Sequence, residues 1–206
     1  MTESMSDART LPSGAFALPE GWQLLPARDV EPSEWVEAYL DELVVQPSAL
    51  IRAQLRHALM TVIDLTLRMP EGARHNFALI GEPLDGVVHS VLSMQKLHVT
   101  NDAYANLLHR TQNPLPADGL EALNRTVEEI TLPAGRAIVM HDFVVTTEFE
   151  SIPEPATERT TLALFIDGTD TMLDFAMYAQ DLAAFDDMPA YLIEIVAAIH
   201  FTGDAS

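Results

Sequence analysis

The sequence predicts an α+β fold: a twisted, mainly antiparallel sheet packed with helices, preceded by an N-terminal helical hairpin. Three observations lead there. Residues 136–180 hold three strand-like runs joined by turns too short for crossover helices. Residues 189–201 return to a helical period and close the chain. Residues 32–70 carry two helical stripes separated only by Pro47-Ser48, a link so short that the helices should pack against each other.

The elements follow in order. Residues 1–14 are polar and small and are expected to be mobile, leaving 15–206 as one domain with the helical hairpin at 32–70 and the sheet with its covering helices at 74–206. Residues 18–26 are apolar and bounded by prolines, which suits an edge strand. A helix starts at Pro32-Ser33, with Ser33 as N-cap and Glu34 in its first turn. Val36, Leu40, Leu43 and Val44 share one face of it, broadened by Trp35 and Tyr39. A second helix over 49–69 has the stripe Leu55, Leu59, Val62, Ile63 and Thr66, and Pro70-Glu-Gly72 stops it. Strands are expected at 75–80 and 87–99 around the turn 83–86. Asn101-Asp102 caps a helix to about 111, which Asn113-Pro-Leu-Pro116 ends.

A short helix at 118–123 should precede a strand at 126–132. After the turn 133–135 come strands at 136–149, 157–166 and 171–180. Leu162, Leu164 and Ile166 share one face; Leu173, Phe175 and Met177 share another. Asp167-Gly168 is a hairpin turn, because Gly accepts positive φ. The last helix has the stripe Leu192, Ile195, Val196 and Ile199. Pro189 sits in its first turn and Asp186 and Asp187 lie just upstream, where negative charge suits the helix dipole.

The opening 18–22, Leu-Pro-Glu-Gly-Trp, the stretch 164–170, Leu-Phe-Ile-Asp-Gly-Thr-Asp, and the helical region 181–201 carry a family resemblance. Together they resemble the Mog1/PsbP-like fold, and in particular its actinobacterial members of unknown function. The resemblance covers about half the chain. It implies a binding or accessory protein, since proteins of this fold serve as a small-GTPase partner, as photosystem-II accessory subunits and as envelope lipoproteins. It brings no shared catalytic set, and the helical hairpin departs from the compact fold.

Composition narrows the chemistry. Hydrophobic residues make up 48% of the 206, the proportion of a globular chain. Without cysteine there is no thiolate catalysis and no thiolate metal site, and a reducing, cytoplasmic setting fits. No run is long and apolar enough for a membrane span, and no export signal is expected at the start. The net charge is −20, unevenly spread. Residues 117–206 hold 17 acids against 3 bases, whereas residues 46–116 hold 5 against 6. This balance opposes nucleic-acid binding through phosphate contacts. It favours a protein partner, a basic one above all, and leaves self-association open.

Neither a phosphate-binding glycine loop nor a nucleophile elbow occurs, and the seven histidines show no paired-ligand spacing. No catalytic, cofactor-binding or metal-binding residue is therefore assigned, and no cofactor is implied. Asp167, Asp170 and Asp174 surround one hairpin and suit either a hard cation or a solvated turn. Glu128 and Glu129, with Glu148 and Glu150, suit either acid–base work or a solvated rim. Arg125, Arg136 and Arg159, the only bases in the acidic part, can clamp carboxylates and are expected to answer surface acids. Asp167, Asp170, Asp174, Glu148, Glu150 and Arg136 form the candidate interaction surface. Met140, Met172, Met177 and Met188 with Phe143, Phe165, Phe175 and Phe185 suit either an ordinary core or an apolar ligand pocket. The function expected is thus non-enzymatic interaction through an acidic surface or a sheet edge. The alternatives are a carrier of a small apolar ligand, held between sheet and C-terminal helix, and a carboxylate- or metal-dependent hydrolase.

Overall fold

The computed structural model of the chain describes residues 9–11, 14–16, 18–68, 74–114, 120–146 and 156–199. It is an α+β protein built on a seven-stranded, wholly antiparallel sheet. Two short strands, β1 (Arg9–Leu11) and β2 (Gly14–Phe16), pair, among the described residues, only with each other. The large sheet contains β3 (Trp22–Leu24), β4 (Arg74–Leu79), β5 (Ser90–His98), β6 (Leu120–Leu132), β7 (Gly135–Thr146), β8 (Thr157–Ile166) and β9 (Thr171–Ala179). Their order is β3-β4-β5-β9-β8-β7-β6, so among the described residues β3 and β6 are the edges. Among the described residues four α-helices accompany it: α1 (Pro32–Glu42), α2 (Ala49–Arg68), α3 (Ala103–Gln112) and α4 (Met188–Ala197). Among the described residues no helix is long and apolar enough to cross a membrane.

The period of two in β7, β8 and β9 assigns each side chain to a face. Ala137, Val139, Leu162, Leu164, Leu173, Phe175, Met177 and Ala179 fall on the first face and form the main core with Phe77, Leu92 and Met94. α4 covers this face with Met188, Leu192, Ile195 and Val196, and Ile199, just past the helix end at Ala197, joins them, all at most 5% exposed. Each such burial is worth about 1.5–3 kcal/mol, so α4 is held by packing rather than by helix propensity. Asp187 caps it, accepting a hydrogen bond from the Ala190 N–H at 2.9 Å. The Trp22 indole N–H donates to the Tyr191 hydroxyl at 3.0 Å and ties edge strand β3 to α4. A second core lies on the opposite face at the β4 side, where Val36 and Leu40 of α1 and Leu55, Leu59 and Ile63 of α2 pack with Leu25, Ala78 and Ile80.

Local expectations differ in four places. Glu31, not Ser33, is the N-cap of α1, because Pro32 takes the first helical position, where its missing N–H costs nothing. Ser33 instead hydrogen-bonds the Glu31 carboxylate at 3.2 Å. Val44 is fully exposed, since α1 ends at Glu42 before the apolar stripe is complete. Residues 120–123 belong to strand β6, not to a helix. They pair with 143–146 of β7, and a bulge with Asn124 at φ 54° separates them from the strand proper. Residues 87–89 precede β5, which begins only at Ser90. The turns behave as their residues require. Gly168 has φ 72°, and Gly135 has φ 151° with its Cα against Phe165, where a Cβ would strike the Phe165 carbonyl oxygen. The expected stop at 70–72 lies outside the described residues.

Candidate functional site

On its second face the sheet carries an unusual row. Antiparallel register sets Asp142 of β7 opposite Arg159 of β8, and Arg159 opposite Tyr178 of β9. Arg125, on β6 just after the bulged Asn124, reaches the same carboxylate. Asp142 is fully buried, while the arginines keep 19% and 23% of their side chains exposed. Arg159 clamps it in a fork, Nε to Oδ1 at 2.8 Å and Nη2 to Oδ2 at 2.7 Å. Arg125 donates twice to Oδ2, from Nε at 2.9 Å and Nη2 at 2.7 Å. Burial alone pushes the Asp142 carboxyl up. The hydrogen bonds and positive charge of Arg159 and Arg125 outweigh that and hold it below the usual carboxylate range.

Further across this face Asp174 accepts a hydrogen bond from Gln95 at 2.7 Å, and burial raises its pKa. Burial also raises the Tyr178 hydroxyl, keeping it protonated. At the far end of the strands, about 20 Å from the Asp142 row at 3.3 Å per residue, α3 meets the sheet. There Arg136 lies 3.9 Å over the Tyr104 ring and 3.4 Å from Glu129, and Tyr104 donates to Glu129 at 2.7 Å and packs edge-on to Phe165.

The first face has its own polar group beside α4. His141 Nδ1 lies 3.0 Å from Thr160 Oγ1, and His141 Nε2 lies 3.7 Å from Glu158 Oε1. The residue types mimic a nucleophile, base and acid. Thr160 is fully buried, however, and the 3.7 Å between His141 and Glu158 exceeds hydrogen-bond length. Burial raises the Glu158 pKa. His141 and Asp142, adjacent in β7, thus serve opposite faces, as strand geometry demands.

These shifts fix a pH response. Glu158 and Asp174 have raised folded pKa values, so their burial destabilises the ionised forms and is relieved as pH falls through those values. Asp142 has a lowered folded pKa, so its contribution is present above the unfolded value near 3.9 and is lost as pH falls through the folded one. Thermal unfolding should therefore show a Tm that holds or rises from pH 7 into mild acid and collapses only below the ordinary carboxylate range. A monotonic fall of Tm from pH 7 to pH 5 would contradict this assignment.

The expected residues that the structure describes do not converge. Asp167 is exposed at the β8–β9 turn, and its backbone N–H donates to Ala134 at 3.0 Å. Asp170 pairs with His98 at 3.2 Å. Asp174 belongs to the second face of β9, so the three aspartates do not enclose a common point. Among the described residues no group of three or more His, Asp or Glu is placed to hold a metal ion. Glu148 and Glu150 lie outside the described residues, and Glu129 is engaged by Tyr104 and Arg136. Arg125 and Arg159 do not answer surface acids; they are drawn to a buried one, because among the described residues no other cation pairs with Asp142. Asp142 itself was hidden by its apolar neighbours. The available signal was two of three arginines in an acidic tract flanking one strand acid. The Met and Phe set is divided, with Met177, Met188 and Phe175 in the main core and Met140, Met172 and Phe165 on the second face.

Fold and site together define an antiparallel α+β protein marked by a buried Arg–Asp–Arg clamp. No family model matches the chain, and no curated protein matches it.

Proposed function

We propose that this is a non-enzymatic interaction or accessory protein of Mog1/PsbP-like type, working in the cytoplasm, with α1 and α2 as its helical hairpin. It binds a basic, extended segment of a protein partner along edge strand β6. One observation carries this reading: β6 is an edge of 13 residues, and among the described residues no strand pairs with its outer side. Such an edge supplies a row of backbone donors and acceptors for strand addition. Glu121, Glu128 and Glu129 are exposed along it. These charges oppose pairing with a second copy's β6 and favour a lysine- or arginine-bearing strand. The carrier alternative needs space between the sheet and α4, where Met188, Leu192 and Val196 instead pack directly on the core.

The test uses a fluorescent seven-residue peptide of alternating lysine and valine, read by anisotropy, with amide exchange locating its footprint. Binding should protect β6 amides and weaken with salt, and the Glu121→Lys/Glu128→Lys double variant should lose about tenfold or more in affinity, like charges now facing each other. Affinity unchanged in that variant, or protection confined to other strands, would reject the edge.

A further inference from the structure

From the charge balance of the Arg125–Asp142–Arg159 row, we infer a binding site for the oxyanion group of a small molecule, a carboxylate or a phosphoryl group, on the second face of the sheet. Two guanidinium groups meet one carboxylate, so the row carries a net charge of +1 within a chain of −20. Among the described residues neither arginine has another carboxylate within ion-pair distance. One arginine would neutralise Asp142. Among the described residues the second leaves half-buried positive charge uncompensated, an arrangement that costs stability unless an anion completes it.

The donors are suited to that role. Each guanidinium has five N–H donors, and Asp142 takes two from each, leaving three on each arginine. The clamp fixes both planes, so little ordering entropy remains to be lost when an oxyanion arrives. Tyr178 stands beside Arg159 in register on the same face and adds a hydroxyl donor. Asp142 is therefore a positioning residue that orients the arginines, while Arg125, Arg159 and Tyr178 supply the contacts. The acidic remainder of the chain repels anions only at range. That repulsion is largely screened beyond about 8 Å at physiological salt, so short contacts decide binding. The site is separate from the outer backbone edge of β6, and a failure of one reading leaves the other standing.

Isothermal titration calorimetry with inorganic phosphate and, separately, with succinate, at fixed ionic strength set by chloride, tests the assignment. At least one probe should bind saturably at a single site and raise Tm as its concentration passes Kd. The stronger probe distinguishes a phosphoryl from a carboxylate ligand. Tyr178→Phe removes one hydroxyl and should weaken binding about threefold to tenfold, while Arg125→Lys, which keeps the charge and loses the fork, should weaken it further. A merely structural row would leave affinity untouched in Tyr178→Phe. No saturable heat from either probe up to 10 mM (roughly the weak end of useful affinity), or equal affinity in wild type and Tyr178→Phe, overturns the inference.

Discussion

Asp142→Asn should lower the unfolding free energy by about 3 kcal/mol, the low end of the range for breaking a buried ion pair, because the arginines are partly solvated. The substitution keeps shape and removes charge. Two guanidinium groups that shared four hydrogen bonds to Asp142 are then left facing each other across β6, β7 and β8 without a counter-charge. Urea denaturation reads the loss as a lower midpoint with an unchanged slope. Replacing all three residues by apolar ones of similar size should recover much of the loss, since desolvation of the ions disappears with them. If Asp142→Asn alone costs under about 1 kcal/mol, the clamp behaves as an exposed pair and its structural weight has been misjudged.

Phe175→Ala should cost about 3–5 kcal/mol, by lost transfer energy and by the cavity left behind. Phe175 is fully buried in β9, opposite Met94 of β5 on one side and Leu162 of β8 on the other, so no neighbour can swing in from solvent to refill the space. Leu65→Ala supplies the control. Leu65 is 51% exposed on α2, and its truncation should change stability by only about 0.5 kcal/mol or less. Equal effects at the two positions would mean that the main core is not where the register places it.

The fold class was legible because its signals are local. The alternation of Leu162 and Leu164 and of Leu173 and Phe175, the Asp167-Gly168 turn and the α4 stripe each need only a short window to be read. Strand β6 was misread at its start because 120–123 lack alternation of their own, and their structure comes from pairing with β7 across the bulge. The clamp was legible only as residue types. Arg125, Asp142 and Arg159 lie 17 residues apart in each step, and nothing in sequence spacing says that three strands align them in one row. Charge totals pointed to acids on the outside, whereas the most consequential acid is inside and the bases follow it.

The strand order also sets a timetable for synthesis. The second core closes early, since its buried members all fall between Leu25 and Ile80. Phe77, Leu92 and Met94 belong to the main core, yet β5 must wait for β9, which starts 73 residues after β5 ends. At about 5–20 residues per second that interval lasts on the order of 4–15 s. During it the nascent chain presents the apolar side of β4 and β5 without β9 or α4 against it, held together by the pairing of β3, β4 and β5 and by the packing of α1 and α2 against Ala78 and Ile80. The early core is thus a scaffold for the ribosome-bound half, and the closing strand and helix arrive as its lid.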